Sequence, residues 1–292
     1  MRKSLGAGLA ALLLIAAACG GGDDNGGTGG GSQAGAEGLL ADVMERGMLR
    51  VSTDPAYPPQ SFLNEQGEME GFDIDVATEI ANRLGVEVAW ETPAWDTIIA
   101  GNWAGRWDLS VGSMTVTPER EEVLHFTPAY YYTPAAIAVH EDNSAISDLE
   151  NDLDGMQVGV CGGCTYEFYL DGSLEIPGEE IDFVIDDAEI KPYDTDSSAI
   201  QDLALGDGVR LDAVMSALPT LKEAEKKDKP IKIVGDPLFY EPLAAAIDRE
   251  APSDPQPLVD RISEIIHEMH SDGTLTELSM KWYGVDLTQK ES

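Results

Sequence analysis

The run Gly71-Phe72-Asp73-Ile74-Asp75-Val76-Ala77-Thr78-Glu79-Ile80-Ala81 sets the architecture of this chain. Val76, Ala77, Ile80, Ala81 and, just beyond, Leu84 recur at helical spacing, which predicts an amphipathic helix over 73–84. Before it, Leu49-Arg50-Val51-Ser52 reads as a strand. After it, Val86, Val88 and Trp90 alternate as a strand does. Strand, helix and strand in this order imply a mainly parallel sheet with helices on its faces.

The same rhythm extends outward. Residues 96–101 open another helix and 108–113 read as a strand. Thr117-Pro118-Glu119-Arg120 has the form of a helix start, with Thr as N-cap and Pro in the first turn. The rhythm restarts after Tyr132. Strands are expected over 135–139, 157–160, 190–193, 211–215 and 231–234, with helices from Thr165 and over 197–205, and 243–247 is a further apolar run. Two helices close the chain. The first aligns Leu258, Ile262, Ile265, Ile266 and Met269; the second aligns Leu275, Leu278 and Trp282 and stops at Gly284. Two α/β units in one chain suggest two lobes with a cleft between them. In open α/β sheets a ligand binds beyond the carboxyl ends of the strands. That places the candidate loops after Ser52, around Trp95, over 112–120 and over 163–165.

Of 292 residues, 18 are basic and 54 acidic, for a formal net charge of −36. Neither a basic stripe for nucleic acid nor a polybasic patch for anionic lipid is present. The excess acid is spread along the folded part, as on a heavily solvated surface or one adapted to salt.

The N-terminus reads as a processing segment, residues 1–18. Arg2 and Lys3 precede an apolar run over 5–18, too short to span a bilayer. Ile15-Ala16-Ala17-Ala18-Cys19-Gly20 looks like a bacterial lipobox, with Cys19 as the lipid anchor; Ala16 stands where Leu, Val or Ile is usual, and plain cleavage after the alanines is the alternative. Residues 19–38 form a Gly-rich tether too poor in apolar groups to build a core. The mature protein is then expected outside the cytoplasm, anchored to the membrane face and not crossing it. Cys161 and Cys164 are the remaining cysteines. Outside the cytoplasm they read first as a disulfide, then as free thiols, and last as a redox pair. A zinc site needs about four ligands, and no second Cys/His cluster accompanies them.

The 71–81 run resembles the signature of the family 3 extracellular solute-binding proteins, and it does not stand alone. Asp54-Pro55-Ala56-Tyr57-Pro58-Pro59 precedes it. Trp95-Asp96-Thr97-Ile98-Ile99, Gly112-Ser113-Met114-Thr115-Val116-Thr117-Pro118-Glu119-Arg120, Phe126, Tyr130-Tyr131-Tyr132, Asp272-Gly273-Thr274 and Lys281-Trp282-Tyr283-Gly284 follow in order. The resemblance covers about residues 49–284. It implies a periplasmic-binding-protein-like α/β fold of the second type. Lobe 1 would hold 39–133 and 240–292, lobe 2 would hold 134–239, and two hinge crossings would join them.

The resemblance also implies a site. Arg120 matches the arginine that binds a ligand carboxylate, in keeping with its planar fork of donors. Ser113 and Thr115 match donors to the same carboxylate, and Gly112 lets the backbone come close. Asp54 matches an acid facing the ligand side chain; Tyr57 and Trp95 match its aromatic walls. In lobe 2, Gly163-Cys164-Thr165 stands where Gly-Thr-Thr is usual, so Thr165 carries over and Cys164 replaces a threonine. The usual acceptor of an α-ammonium is replaced by Ala217, beside Ser216. A buried ammonium needs a partner. Either Asp194 or Asp196 supplies it, or the ligand is not a plain α-amino acid.

The implied function is the receptor of an ABC importer: a monomer that captures a small polar solute, with a polar or basic amino acid favoured, and presents it to a membrane permease, without cofactor, metal or catalysis. Two alternatives stay open. One is a sensory ligand-binding domain. The other is a dehydratase-like enzyme on the same scaffold, with Glu241, His125 or His140 as acid or base. His267 and His270, three apart on a helix, lack a third ligand and read as surface residues.

Overall fold

The computed structural model describes residues 36–290. The expected signal segment, the Cys19 anchor and nearly all of the Gly-rich tether lie outside these residues. In chain order the first lobe contains α1 (Gly38–Arg46), β1 (Met48–Ser52), β2 (Ala56–Tyr57), β3 (Ser61–Leu63), β4 (Met69–Glu70), α2 (Phe72–Leu84), β5 (Glu87–Glu91), α3 (Trp95–Ile99), β6 (Leu109–Thr115) and α4 (Pro118–Glu121). A long strand, β7 (Leu124–His140), leads out of it. The second lobe contains β8 (Gln157–Cys161), α5 (Thr165–Leu170), β9 (Glu189–Tyr193), α6 (Asp196–Leu203), β10 (Ala213–Ala217), α7 (Leu218–Lys226) and β11 (Ile231–Val234). The chain returns through β12 (Tyr240–Asp248) and closes with α8 (Gln256–Ser271) and α9 (Thr274–Tyr283).

The strand order is β5-β1-β6-β12-β7-β10-β8-β9, with β11 also on β7 and a small separate sheet β2-β3-β4. The outer strands pair in parallel: β5-β1-β6 in one lobe and β10-β8-β9 in the other. The expectation of a mainly parallel sheet holds there but not at the centre, where β12 and β7 run antiparallel to their neighbours. The reason is connectivity. A strand that leaves one lobe and a strand that returns to it must run in opposite directions. The sequence reading expects a strand only over 135–139, yet β7 is continuous from Leu124 to His140. Residues 124–134 pair with β12, and 135–140 pair with β10 and β11. Each crossing strand carries a proline, Pro134 and Pro242, paired with Tyr240 and Tyr132. Proline cannot donate to the ladder, so pairing is weakest where a hinge has to bend.

Each lobe has its own core. One cluster joins Leu49, Val51, Phe72, Val76, Ile80, Leu109 and Val111 to Leu243, Ile247 and the α8 residues Leu258, Ile262, Ile265, Ile266 and Met269. The second lobe packs Ile137, Val139, Val158, Val160, Tyr169 and Met215 on one sheet face, and Ala138, Ile200, Leu203, Val214 and Leu221 on the other. Burying each large side chain contributes about 1.5–3 kcal/mol. Gly71 shows why α2 starts where it does: a Cβ there would lie 2.1 Å from the carbonyl oxygen of Gln60. Only glycine permits that approach. It docks the start of α2, and Asp73 with it, beneath the 58–61 loop. Among the described residues, no helix is long and apolar enough to cross a membrane.

Candidate functional site

A cavity of about 50 Å³ lies between the lobes, lined on one side by Asp54, Tyr57, Trp95, Gly112, Ser113, Thr115 and Arg120. The other side is Cys161, Cys164, Thr165, Tyr166, Asp194 and Asp196, with Glu241 of β12 between them. These residues follow the carboxyl ends of β1, β5, β6, β8 and β9, where an α/β sheet presents its loops. Past Asp54, Trp95 and Asp194 the cavity meets a mouth of about 690 Å³ walled by residues 92–96 and 192–195. The inner cavity is well below the ~300–1,000 Å³ typical of ligand pockets, so the cleft is nearly shut.

In the first lobe, Thr117 caps α4 by accepting the Arg120 N–H, which fixes where Arg120 leaves the helix. Its side chain is 4% exposed. Nη1 donates to the Thr115 carbonyl at 2.9 Å and Nη2 donates across the cleft to the Gly163 carbonyl at 3.0 Å. Nε has no partner. Burial lowers the Arg120 pKa to about 10, with Glu241 acting in the opposite direction. The guanidinium lies 5.2 Å from the Trp95 ring centroid, and Trp95 Nε1 also reaches the Gly163 carbonyl. Asp54 accepts the Ala56 N–H at 2.7 Å, and burial raises its pKa.

Ser113 lines the cavity but turns its own polar groups inward. It sits at φ +54°, unusual for a residue with a Cβ. Its N–H donates to the Tyr130 hydroxyl, its Oγ donates to Asp73, and Tyr130 donates to the other Asp73 oxygen. Asp73 is fully buried, and burial raises its pKa to about 7 against the lowering effect of these two bonds.

In the second lobe, Cys161 and Cys164 are joined by a disulfide across Gly162 and Gly163. Gly163 adopts φ +71°, and its N–H donates to Glu167 at 2.6 Å while its carbonyl faces Arg120. Thr165 starts α5 and donates to Glu241, as does Tyr166 at 2.9 Å. Thr115 adds a third donor to Glu241 at 2.8 Å from the first lobe. Asp196 is buried at the start of α6 and accepts the Ser216 hydroxyl at 2.5 Å. Burial, then the nearby Asp54 and Glu241, raise its pKa to about 7, with the Ser216 bond opposing.

Nine of the ten ligand-site residues expected from the sequence therefore line one cavity, and Ser216 stands directly behind it, against Asp196. Both acids weighed as substitutes at the Ala217 position line the cavity, but Asp196 is buried and Asp194 is exposed where the cavity meets its mouth. Nothing in the sequence marks Tyr166 as a site residue. Glu241 reads there only as a candidate acid or base, because a glutamate just before an apolar run carries no further signal. His125 and His140 do not line the cavity. His267 and His270 both lie on α8, and His270 contacts the Ala129 carbonyl.

The model of the bacterial extracellular solute-binding proteins, family 3, matches residues 49–285. The chain is 31% identical over 254 residues to the L-cystine-binding protein TcyJ of Escherichia coli K12, covering 87% of this chain and 89% of that protein. It is 28% identical to the L-arginine-binding protein of Pseudomonas aeruginosa, over 82% of this chain and 89% of that one. Among solved structures, an ancestral arginine-binding protein bound to arginine superposes with TM-score 0.70 at 34% identity, covering 82% of this chain and 99% of that one. An ancestral amino acid-binding protein described as a precursor of cyclohexadienyl dehydratase superposes with TM-score 0.72 at 31% identity, covering 84% and 99%.

Proposed function

The chain belongs to the bacterial extracellular solute-binding proteins, family 3, and from that premise we propose that it is the receptor of an ABC importer for a cationic or polar amino acid. The observation that carries the reading is the charge of the cavity. Four carboxylates, Asp54, Asp194, Asp196 and Glu241, line the cavity together with one guanidinium, Arg120. Burial raises the pKa of three of them, the sign of too much negative charge in too little water. A basic amino acid brings two positive groups and one negative group, and so relieves that excess. Its carboxylate would meet Arg120, its α-ammonium Asp196, and its side chain Asp54 between Tyr57 and Trp95. The arginine and the glutamine bound by the ancestral arginine-binding protein are of this class.

Residues 39–133 with 240–292 and residues 134–239 would move as two bodies about the β7 and β12 crossings. Closure would follow because ligand groups bind both bodies at once. The receptor would be a monomer, held outside the cytoplasm by a lipid on Cys19, with the Cys161–Cys164 disulfide formed there, and would deliver its ligand to a membrane permease. A dehydratase on this scaffold would need a free acid or base. Glu241 is already committed to three hydroxyls, which favours binding over catalysis.

A thermal-shift screen of the purified protein against the twenty amino acids tests the reading, because a ligand of the folded state raises the melting temperature by mass action. The expected result is a shift with arginine, lysine, histidine or a polar amino acid that is lost in Arg120→Ala. Shifts only with solutes lacking a free α-ammonium would overturn the amino-acid assignment. No shift at all would remove the receptor reading.

A further inference from the structure

Glu241 lies at the start of β12, on one of the two crossings, and is 2% exposed. Its Oε1 accepts the hydroxyls of Thr115 from the first lobe and Thr165 from the second, and its Oε2 accepts Tyr166 from the second. These three donors belong to parts of the chain 126, 76 and 75 residues away. The carboxylate therefore does what a bound anion would do between two lobes: it satisfies donors from both. Among the described residues, Arg120 forms no ion pair within 4 Å, and its two engaged nitrogens serve carbonyl groups. The division of labour is clear. The hydroxyls go to Glu241, and the guanidinium keeps its charge for something else.

We propose that Glu241 is a positioning residue that latches the cleft: a hinge-borne carboxylate that gathers hydroxyls from both lobes and sets the balance between open and closed forms before any ligand contact is made. The proposal deepens the reading of this cleft as the ligand site, but its physics needs no ligand. A carboxylate facing three hydroxyl donors in a site shielded from water holds them more strongly than neutral partners would. Opening the lobes must break at least the bonds to one side. Because the acid sits on a crossing strand, it can keep one set of donors while releasing the other. The same arrangement has a consequence for selectivity. With Thr115 and Thr165 occupied, a ligand carboxylate is held mainly by Arg120, and the ligand's cationic groups meet Glu241 as part of the wall.

The test measures lobe separation in the full chain without ligand. Spin labels on Glu87→Cys and Asp171→Cys, exposed positions in the first and second lobes, report the distance by pulsed dipolar spectroscopy. The expected result is a mainly short distance in the protein with Glu241 intact. Glu241→Ala should raise the open-to-closed ratio about tenfold, as for loss of hydrogen bonds to a charged group. Glu241→Gln should fall between the two. Thr165→Val should shift the ratio the same way, and the double variant Glu241→Ala with Thr165→Val should shift it no further than Glu241→Ala alone, because one interaction is shared. A long distance in the unsubstituted protein, or an unchanged distribution in a Glu241→Ala variant that still melts cooperatively, overturns the proposal. If Glu241→Ala does not fold, Thr165→Val decides: a shift supports the latch and none overturns it. Should no amino acid bind, the receptor reading fails while these distances still stand or fall by themselves.

Discussion

The two walls of the cleft are built differently. The first-lobe wall rests on a buried relay. Ser113 is tied by its N–H and its hydroxyl to Tyr130 and Asp73, both fully buried, and Thr117 caps the turn that presents Arg120. The second-lobe wall is held by single ties: one disulfide that closes the four-residue ring at the end of β8, and one side-chain hydrogen bond from Ser216 of β10 to Asp196 at the start of α6, beside Ala217. A wall locked into its core is pre-organised, and losing a group from it should weaken every ligand. A wall held by single ties can be refitted, and losing a group from it should change which ligand is preferred.

The largest effect that would sharpen this contrast is at Arg120. Removing one partner of a buried charge pair has a large penalty. Arg120→Ala should weaken every bound amino acid by about 100-fold or more, read by titration calorimetry. A loss confined to some ligands would break the contrast. Asp196→Asn comes next, with a loss of about ten- to a hundredfold for ligands with a free α-ammonium and little change for analogues lacking one. Equal losses for both classes would mean that Asp196 serves the wall and not the ammonium.

The same residue makes binding depend on pH. In the free protein its pKa stands at about 7, raised from the ordinary 3.8. An ammonium beside it would lower that value, so binding would release a proton. Affinity should therefore be highest above pH 7 and fall as pH drops through about 7, and Asp196→Asn should flatten the profile. The free protein runs the other way. Asp73 and Asp196 both bind protons more tightly folded than unfolded, so the stability they contribute is fullest below pH about 4 and is lost as pH rises through about 7. A melting temperature that rises over that interval in ligand-free protein, relative to Asp73→Asn, would contradict this.

Opening the ring with Cys161→Ser and Cys164→Ser should have a smaller effect. The Gly163 carbonyl would lose its fixed aim at Arg120 and Trp95. Ligand dissociation, followed by stopped flow, should quicken severalfold, on the order of one lost hydrogen bond. The smallest effect belongs to Ser197→Ala, which removes a 2.6 Å bond to the Ala56 carbonyl at the partly solvated mouth. Less than about a twofold change in affinity is expected there. A larger one would mean that the mouth, and not the inner cavity, controls closure.

Much of the first-lobe wall was legible through the family resemblance, whose motifs lie in short runs. Helix-start chemistry places Thr117 and Pro118 at the start of α4, whereas the parts given to Arg120 and Trp95 come from the resemblance. The second-lobe wall was less legible. Ala217 marked a missing acid without saying which neighbour replaces it. Asp194 and Asp196 are two residues apart, yet one is exposed and the other buried. The difference depends on how α6 packs against β10, which no local pattern records. The continuous β7 escaped the sequence reading for a similar reason. The strand exchanges its partner β12 for β10 and β11 after residue 134, although its backbone does not stop.

By itself, the sequence determined the alternation of strands and helices, the two-lobed fold, and the order of the loops that meet in the cleft, because apolar periodicity and turn chemistry act over a few residues. Only the tertiary structure decided that Glu241 gathers hydroxyls from Thr115, Thr165 and Tyr166, that Ser113 faces its own core, and that Asp196 is buried while Asp194 stays exposed. Those outcomes depend on which groups burial removes from water and which partners, often a hundred or more residues distant, are left to satisfy them.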